Sequence, residues 1–222
     1  MNKEQIIKQT EENIKNKLSG EGSGHDWWHI YRVWKTALNI GEKEKADLFV
    51  VQLAALLHDI ADWKFNAGDE DLGPKLAKAW LQKMQVEEKT ISHVCEIIKD
   101  LSFKGAGVKS KMKTKEGMVV QDADRLDAIG AIGIARAFLT GQSLGQEIYN
   151  PNITPEIYRD SKEYKKQYTG ERKNTTLNHF YEKLLLLKDL MNTKTAKNLA
   201  EGRHKFMEQY LDRFYKEWEG KE

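Results

Sequence analysis

Four residues able to donate an electron pair to a cation interrupt apolar helical patterns in this chain. They are His29 in GHDWWHIYRV, His58 and Asp59 in ALLHDIADWKF, and Asp124 in QDADRLDAIGAIGIAR. His58 and Asp59 stand out because they end ADLFVVQLAALL, a stretch apolar almost all round. Two ionisable groups in succession are costly there unless a metal ion or a hydrogen-bond network compensates them. His29 sits beside the apolar stripe of its own helix, where a lone histidine would read as a satisfied core residue. Two imidazoles and two carboxylates together form a nitrogen and oxygen donor set suited to Mn, Fe, Co, Ni or Zn. Asp122 competes with Asp124, but a two-residue offset points it elsewhere around a helix.

These donors need helices to bring them together, and the periodicity supplies them nearly everywhere. Ile7, Ile14 and Leu18 share one face of an opening helix; Ile30, Val33, Trp34 and Ala37 share a face of a second, which Asp26 can cap and which should end near Gly41. Residues 46–61 form a central helix buried by its neighbours. Its His58 lies 29 residues after His29, enough for one helix to end, turn and return alongside. Pro74 suits the first turn of a helix carrying Ala77, Trp80, Leu81 and Met84, and Ile91, Val94, Ile98 and Leu101 mark the next. A loop, SFKGAGVKSKMKTKEG, follows, and then a helix from near Glu116 through VVQDADRLDAIGAIGIARAF. The chain turns polar from Thr140 to about Thr176, with breakers at Asn150-Pro151 and Thr154-Pro155. Two closing helices carry HFYEKLLLLKDL and a stripe of Ala196, Leu199, Ala200, Phe206, Met207, Tyr210, Leu211, Phe214 and Trp218.

Composition narrows the classes of function. The 222 residues, 40% of them hydrophobic, suffice for one sizeable core, so 1–222 is expected to be a single domain. With 36 Lys and Arg against 34 Asp and Glu the net charge is only +2, so phosphate recognition must come from local clusters, and nucleic acid is not implied. One cysteine, Cys95, excludes an internal disulfide framework and a Cys-rich zinc module. Neither the N-terminal segment nor any later run has the apolar length of a signal or a membrane span, so a cytoplasmic protein is expected.

The order His29, then His58-Asp59, then Asp124, all on helices, resembles the HD-domain metal-dependent phosphohydrolases, and the three phrases quoted above resemble one bacterial subgroup of them. The resemblance covers about residues 24–136 as the metal-site core and extends less distinctly into HFYEKLLLLKDLMNT and the last helix. It implies an all-α helical bundle with additional C-terminal helices over about 140–222. It also implies His29, His58, Asp59 and Asp124 as ligands of a divalent metal, Mg being added to the candidate ions. Two-metal members resemble a pattern with two further histidines between the HD pair and the last aspartate. This chain has only His93 there, which favours one ion and disfavours an oxygenase.

Hydrolysis also needs proton handling and cations for phosphate. Asp62, four residues after His58, is the candidate general acid or base, or else an exposed helix-end carboxylate. Lys104, first of the loop lysines, is a candidate phosphate contact, with Lys64 and Asp127 as further candidates for contacting substrate. His25 either touches substrate or fills the helix entrance, and Trp27 or Trp28 could wall a nucleobase pocket. Lys183 and Arg203 are nominated by the subgroup resemblance alone. That resemblance implies a nucleoside or deoxynucleoside triphosphate cleaved to monophosphate and pyrophosphate. A nucleotide monophosphatase, or a metal-dependent nucleotide sensor with little turnover, is the alternative.

Overall fold

The computed structural model describes residues 1–20, 26–61, 69, 71–101, 110–156 and 173–221. Every regular element among them is helical, and the one sheet-like contact is an isolated bridge between Glu147 and Thr175. The all-α expectation therefore holds. No helix among the described residues is long and apolar enough to cross a membrane.

The described residues fall into two compact units, one of those up to position 103 and from 109 to 123, the other of those from 124 onward. In the first unit, α1 (Lys3–Leu18) opens with a capping box in which Asn2 and Gln5 satisfy each other's backbone N–H. Helix α2 (Trp27–Glu44) starts at Asp26, whose carboxylate accepts the backbone N–H of His29 at 2.9 Å. It runs past Gly41, where sequence patterning placed its end. Gly41 is a contact site: a Cβ there would meet Leu48 Cδ2 at 3.0 Å, and Lys45, in the left-handed region at φ 55°, ends the helix instead.

Helix α3 (Leu48–Leu57) is the expected central helix, with Leu53, Ala54, Ala55, Leu56 and Leu57 fully buried. It is shorter than 46–61, because residues 58–61 leave the helix as a turn. It packs against α1, α2 and α5 (Glu88–Leu101), while α4 (Leu72–Lys83) packs on α5. Ile91, Val94, Ile98 and Leu101 line the buried face of α5 as expected.

Helix α6 (Lys115–Asp127) is separate from α7 (Gly130–Ser143), where a single helix was expected. Gly130 breaks the run: its φ is +77°, and a Cβ there would come within 3.0 Å of the Arg203 side chain, so the residue is glycine for two reasons at once. Likewise HFYEKLLLLKDL is two elements, α8 (Thr176–Glu182) and a 3₁₀ helix (Leu184–Leu190), divided at Lys183, whose φ of −142° is not helical. The last helix, α9 (Lys194–Trp218), buries Ala196, Ala200, Met207 and Leu211, but Phe206 and Trp218 lie about half exposed, contrary to the full stripe expected. An aromatic cluster joins these elements: Phe180 stacks on Tyr210 at 6.1 Å, and Tyr149 meets Trp218 edge-on at 5.0 Å.

Candidate metal centre

His29 and His58 meet as a consequence of how α2 and α3 begin and end. Asp26 fixes the first turn of α2 by capping it, which sets the helical phase of His29, the third helical residue. His58 is the residue on which α3 closes, and Asp59 is the first beyond it. That placement matters, since adjacent residues inside a helix diverge by roughly 100° around its axis, whereas a turn lets both face one point. Ile60 N–H reaches back to the Leu57 carbonyl at 3.1 Å, and Ala61 O lies 3.2 Å from where a Cβ of Gly73 would stand, so α4 closes on the turn from one side.

The resulting donors are tightly grouped. Nε2 of His29 and Nε2 of His58 are 3.2 Å apart; Asp59 Oδ2 is 3.4 Å from the first and 3.8 Å from the second. His29 is completely buried and His58 nearly so, while the Asp59 side chain keeps some access to solvent. Among the described residues these three are the one group whose ligand atoms all lie within 4.8 Å of one another.

The tautomer of His58 follows from its other nitrogen. Nδ1 lies 2.8 Å from the Ala55 carbonyl oxygen, which can only accept, so Nδ1 carries the proton and Nε2 presents its lone pair toward His29 and Asp59. This is how ligating histidines are oriented in metalloproteins. The distances agree as well. Ligand atoms about 2.1 Å from one ion, at angles of 90 to 109°, are separated by roughly 3.0 to 3.4 Å. The donor triangle has that size, with one edge slightly longer, and its chemistry suits a borderline divalent cation.

The other sequence candidates are distributed as follows. Asp124 lies half-buried on α6 and Asp122 is fully buried on the same helix. Asp62, Lys64, His25 and Lys104 lie outside the described residues. In the second unit, Asp127 is buried and accepts from Arg136 Nη1 at 3.1 Å. Arg203 donates to the Leu126 carbonyl near the end of α6. Burial draws the Arg203 pKa below its ordinary value, and the charge of Asp127 works in the opposite direction. Lys183 is the non-helical residue between α8 and the 3₁₀ helix. His93 takes part in the start of α6, with Nε2 2.9 Å from Thr114 Oγ1, and is not one of the grouped ligands. Two participants had no signal in the sequence: Arg136, one of several surface-type cations, and Lys17 of α1, whose ammonium donates to the carbonyl of Ile60 at 2.8 Å.

An all-helical fold with a buried His, His-Asp donor group suits a metal-dependent enzyme, and comparison with known proteins gives the class as hydrolase. The HD domain family model matches residues 27–129, the span from the first turn of α2 to the α6–α7 junction. Bacillus subtilis YpgQ is 40% identical over 210 residues, covering 93% of this chain and 91% of that protein. An HD-superfamily hydrolase from Bacillus thuringiensis is 43% identical, with a TM-score of 0.74 over 98% of this chain and 99% of its own. The structure of YpgQ in complex with ADP aligns with a TM-score of 0.76 at 37% identity, over 98% of this chain and 97% of that one. The chain belongs to the HD superfamily of hydrolases and is a metal-dependent phosphohydrolase.

Proposed function

We propose that the protein hydrolyses nucleoside or deoxynucleoside triphosphates to the monophosphate and pyrophosphate. The observation that carries this reading is the His29, His58, Asp59 donor group in a chain whose relative YpgQ has been solved with ADP, a nucleotide carrying two linked phosphates. In this reading one divalent ion is held by those three residues with Asp124 as the fourth ligand. When bound, such an ion polarises a phosphoryl oxygen and lowers the pKa of water.

The protein's own groups supply the rest. Ala55 holds the Nδ1 proton of His58 and so turns its Nε2 toward the buried His29, where the two nitrogens would serve the ion together. Asp62 is assigned the proton from the attacking water. As the new oxygen–phosphorus bond forms at the α-phosphorus, the bond to the bridging α,β oxygen breaks, and pyrophosphate leaves with that electron pair. Lys104 and Lys64 are assigned to the phosphate charge, which grows on the leaving group. His25, Asp127, Lys183 and Arg203 complete the proposed substrate contacts.

A product analysis tests the reading. Purified protein with Mn, Co or Mg is incubated with a panel of nucleoside and deoxynucleoside mono-, di- and triphosphates, and products are resolved by anion exchange. Pyrophosphate and monophosphate in equal amounts are expected from a triphosphate. Orthophosphate released from monophosphates would make the protein a monophosphatase with the same site, and binding without turnover would make it a sensor.

A further inference from the structure

The turn that presents both members of the HD pair is tied down by a residue from a different helix. Lys17 lies in the last turn of α1, and its Nζ donates to the backbone carbonyl of Ile60, 43 residues on, at 2.8 Å. Ile60 follows Asp59 directly, so the peptide whose oxygen is held lies one residue past the Asp59 carboxylate. Ile60 lies beyond the end of α3, outside the helical hydrogen-bond ladder, and the Lys17 ammonium supplies a donor to its carbonyl. The carbonyl of Ala61 also lies close to Gly73 of α4, 3.2 Å from where a Cβ there would stand. The turn is thus bonded to α1 through Lys17 and back to α3 through the Ile60 N–H and the Leu57 carbonyl, with Gly73 of α4 packed close beside Ala61.

From this geometry we infer that Lys17 is a positioning residue for the metal centre: by holding the Ile60 carbonyl it sets where Asp59 points relative to His58 and His29. The inference rests on the reading of these three residues as metal ligands. It assigns Lys17 no contact with substrate or ion. The residue is exposed overall, and its ammonium is partly withdrawn from water, as a lysine employed in a defined contact would be. An unattached lysine on the solvent face of α1 would keep full hydration.

The test uses the full chain and three variants: Lys17→Met, which keeps the stem and removes the ammonium; Lys17→Arg, which restores a donor; and His58→Ala, which removes a ligand. Manganese binding is measured by calorimetry on metal-free protein, with thermal melting of the same samples. Lys17→Met is expected to weaken manganese binding about tenfold, in the range for losing an outer hydrogen-bond partner of a ligand, with Lys17→Arg recovering most of it. The melting temperature of the metal-free protein should fall little in either. Wild-type manganese affinity in Lys17→Met overturns the inference, as does a loss that tracks the unfolded fraction. If His58→Ala binds manganese as wild type does, the ligand assignment itself fails and the inference with it. If His58→Ala loses binding while Lys17→Met does not, only the role of Lys17 fails.

Discussion

His29 and His58 face each other through their Nε2 atoms at 3.2 Å, with both rings withdrawn from solvent and set edge to face at 72°. The Ala55 carbonyl holds the Nδ1 proton of His58, which leaves Nε2 as the ring's ligating nitrogen, and Asp59 Oδ2 lies beside it. The three donors together therefore form a group of the size and chemistry that one divalent cation would fit. Replacing His29, His58 or Asp59 by alanine should abolish stoichiometric metal, weakening affinity by more than the roughly 10- to 100-fold that removing an outer partner costs. Asp124→Asn should behave similarly and Asp122→Asn much more mildly. Metal content by elemental analysis after gel filtration checks the series, and the reverse ranking of the two aspartates would transfer the ligand role to Asp122.

The cap on α2 makes a separate prediction. Asp26 accepts from the N–H of His29 itself, so losing it both frays the helix and releases a ligand-bearing residue. Asp26→Ala should cost about 1 kcal/mol. In a chain of this size that lowers the melting temperature by roughly 2–4 °C. Asp26→Asn, whose amide oxygen can still accept, should recover most of the loss. Equal melting of all three proteins would mean that the cap contributes nothing.

Asp62 is expected to separate proton handling from ligation. Asp62→Asn should retain the metal and lower kcat by about 10²- to 10⁴-fold, because the isostere keeps shape and loses basicity. Metal titration beside steady-state kinetics checks both halves. An unchanged kcat would pass the role to Asp127, and loss of metal would place Asp62 among the ligands.

Cys95 supplies a prediction about pH. Burial raises its thiol above the ordinary value, with the charge of Lys78 opposing and those of Glu88 and Glu96 assisting. The folded state therefore disfavours the thiolate, and its contribution to stability is complete below the unfolded pKa and lost as pH rises through the folded one. Alkylation by iodoacetamide at pH 8 should be slower in the native protein than in urea, and its rise with pH should be centred higher. Equal midpoints would show that the thiol is as hydrated as in the unfolded chain.

The residues that form the donor group were legible because each broke a pattern: His58 and Asp59 end an apolar run, and His29 stands beside an apolar stripe. The helices were legible for the same reason, through the regular return of residues such as Ile91, Val94 and Ile98. What escaped were decisions made by backbone conformation. Gly41 and Gly130 look alike in sequence, yet one stays inside a helix where Leu48 approaches and the other divides α6 from α7 at a positive φ. The break at Lys183 is a tertiary choice that propensity does not reveal, since Leu, Lys and Glu around it all favour helix. Lys17 was invisible because its partner is a carbonyl, which every residue possesses.

Helix α3 has one more consequence, for the chain before it folds. A segment apolar almost all round, LFVVQLAALL with Gln52 its one polar residue, is well hidden only while α1, α2 and α5 surround it. In a nascent or partly opened chain it is an uncharged run without proline, the composition that drives self-association. The segment that delivers His58 and Asp59 is thus also a strong aggregation hazard of the polypeptide. Substitutions that loosen its surroundings should appear first as poor recovery of soluble material from expression, before any purified sample exists in which activity can be lost.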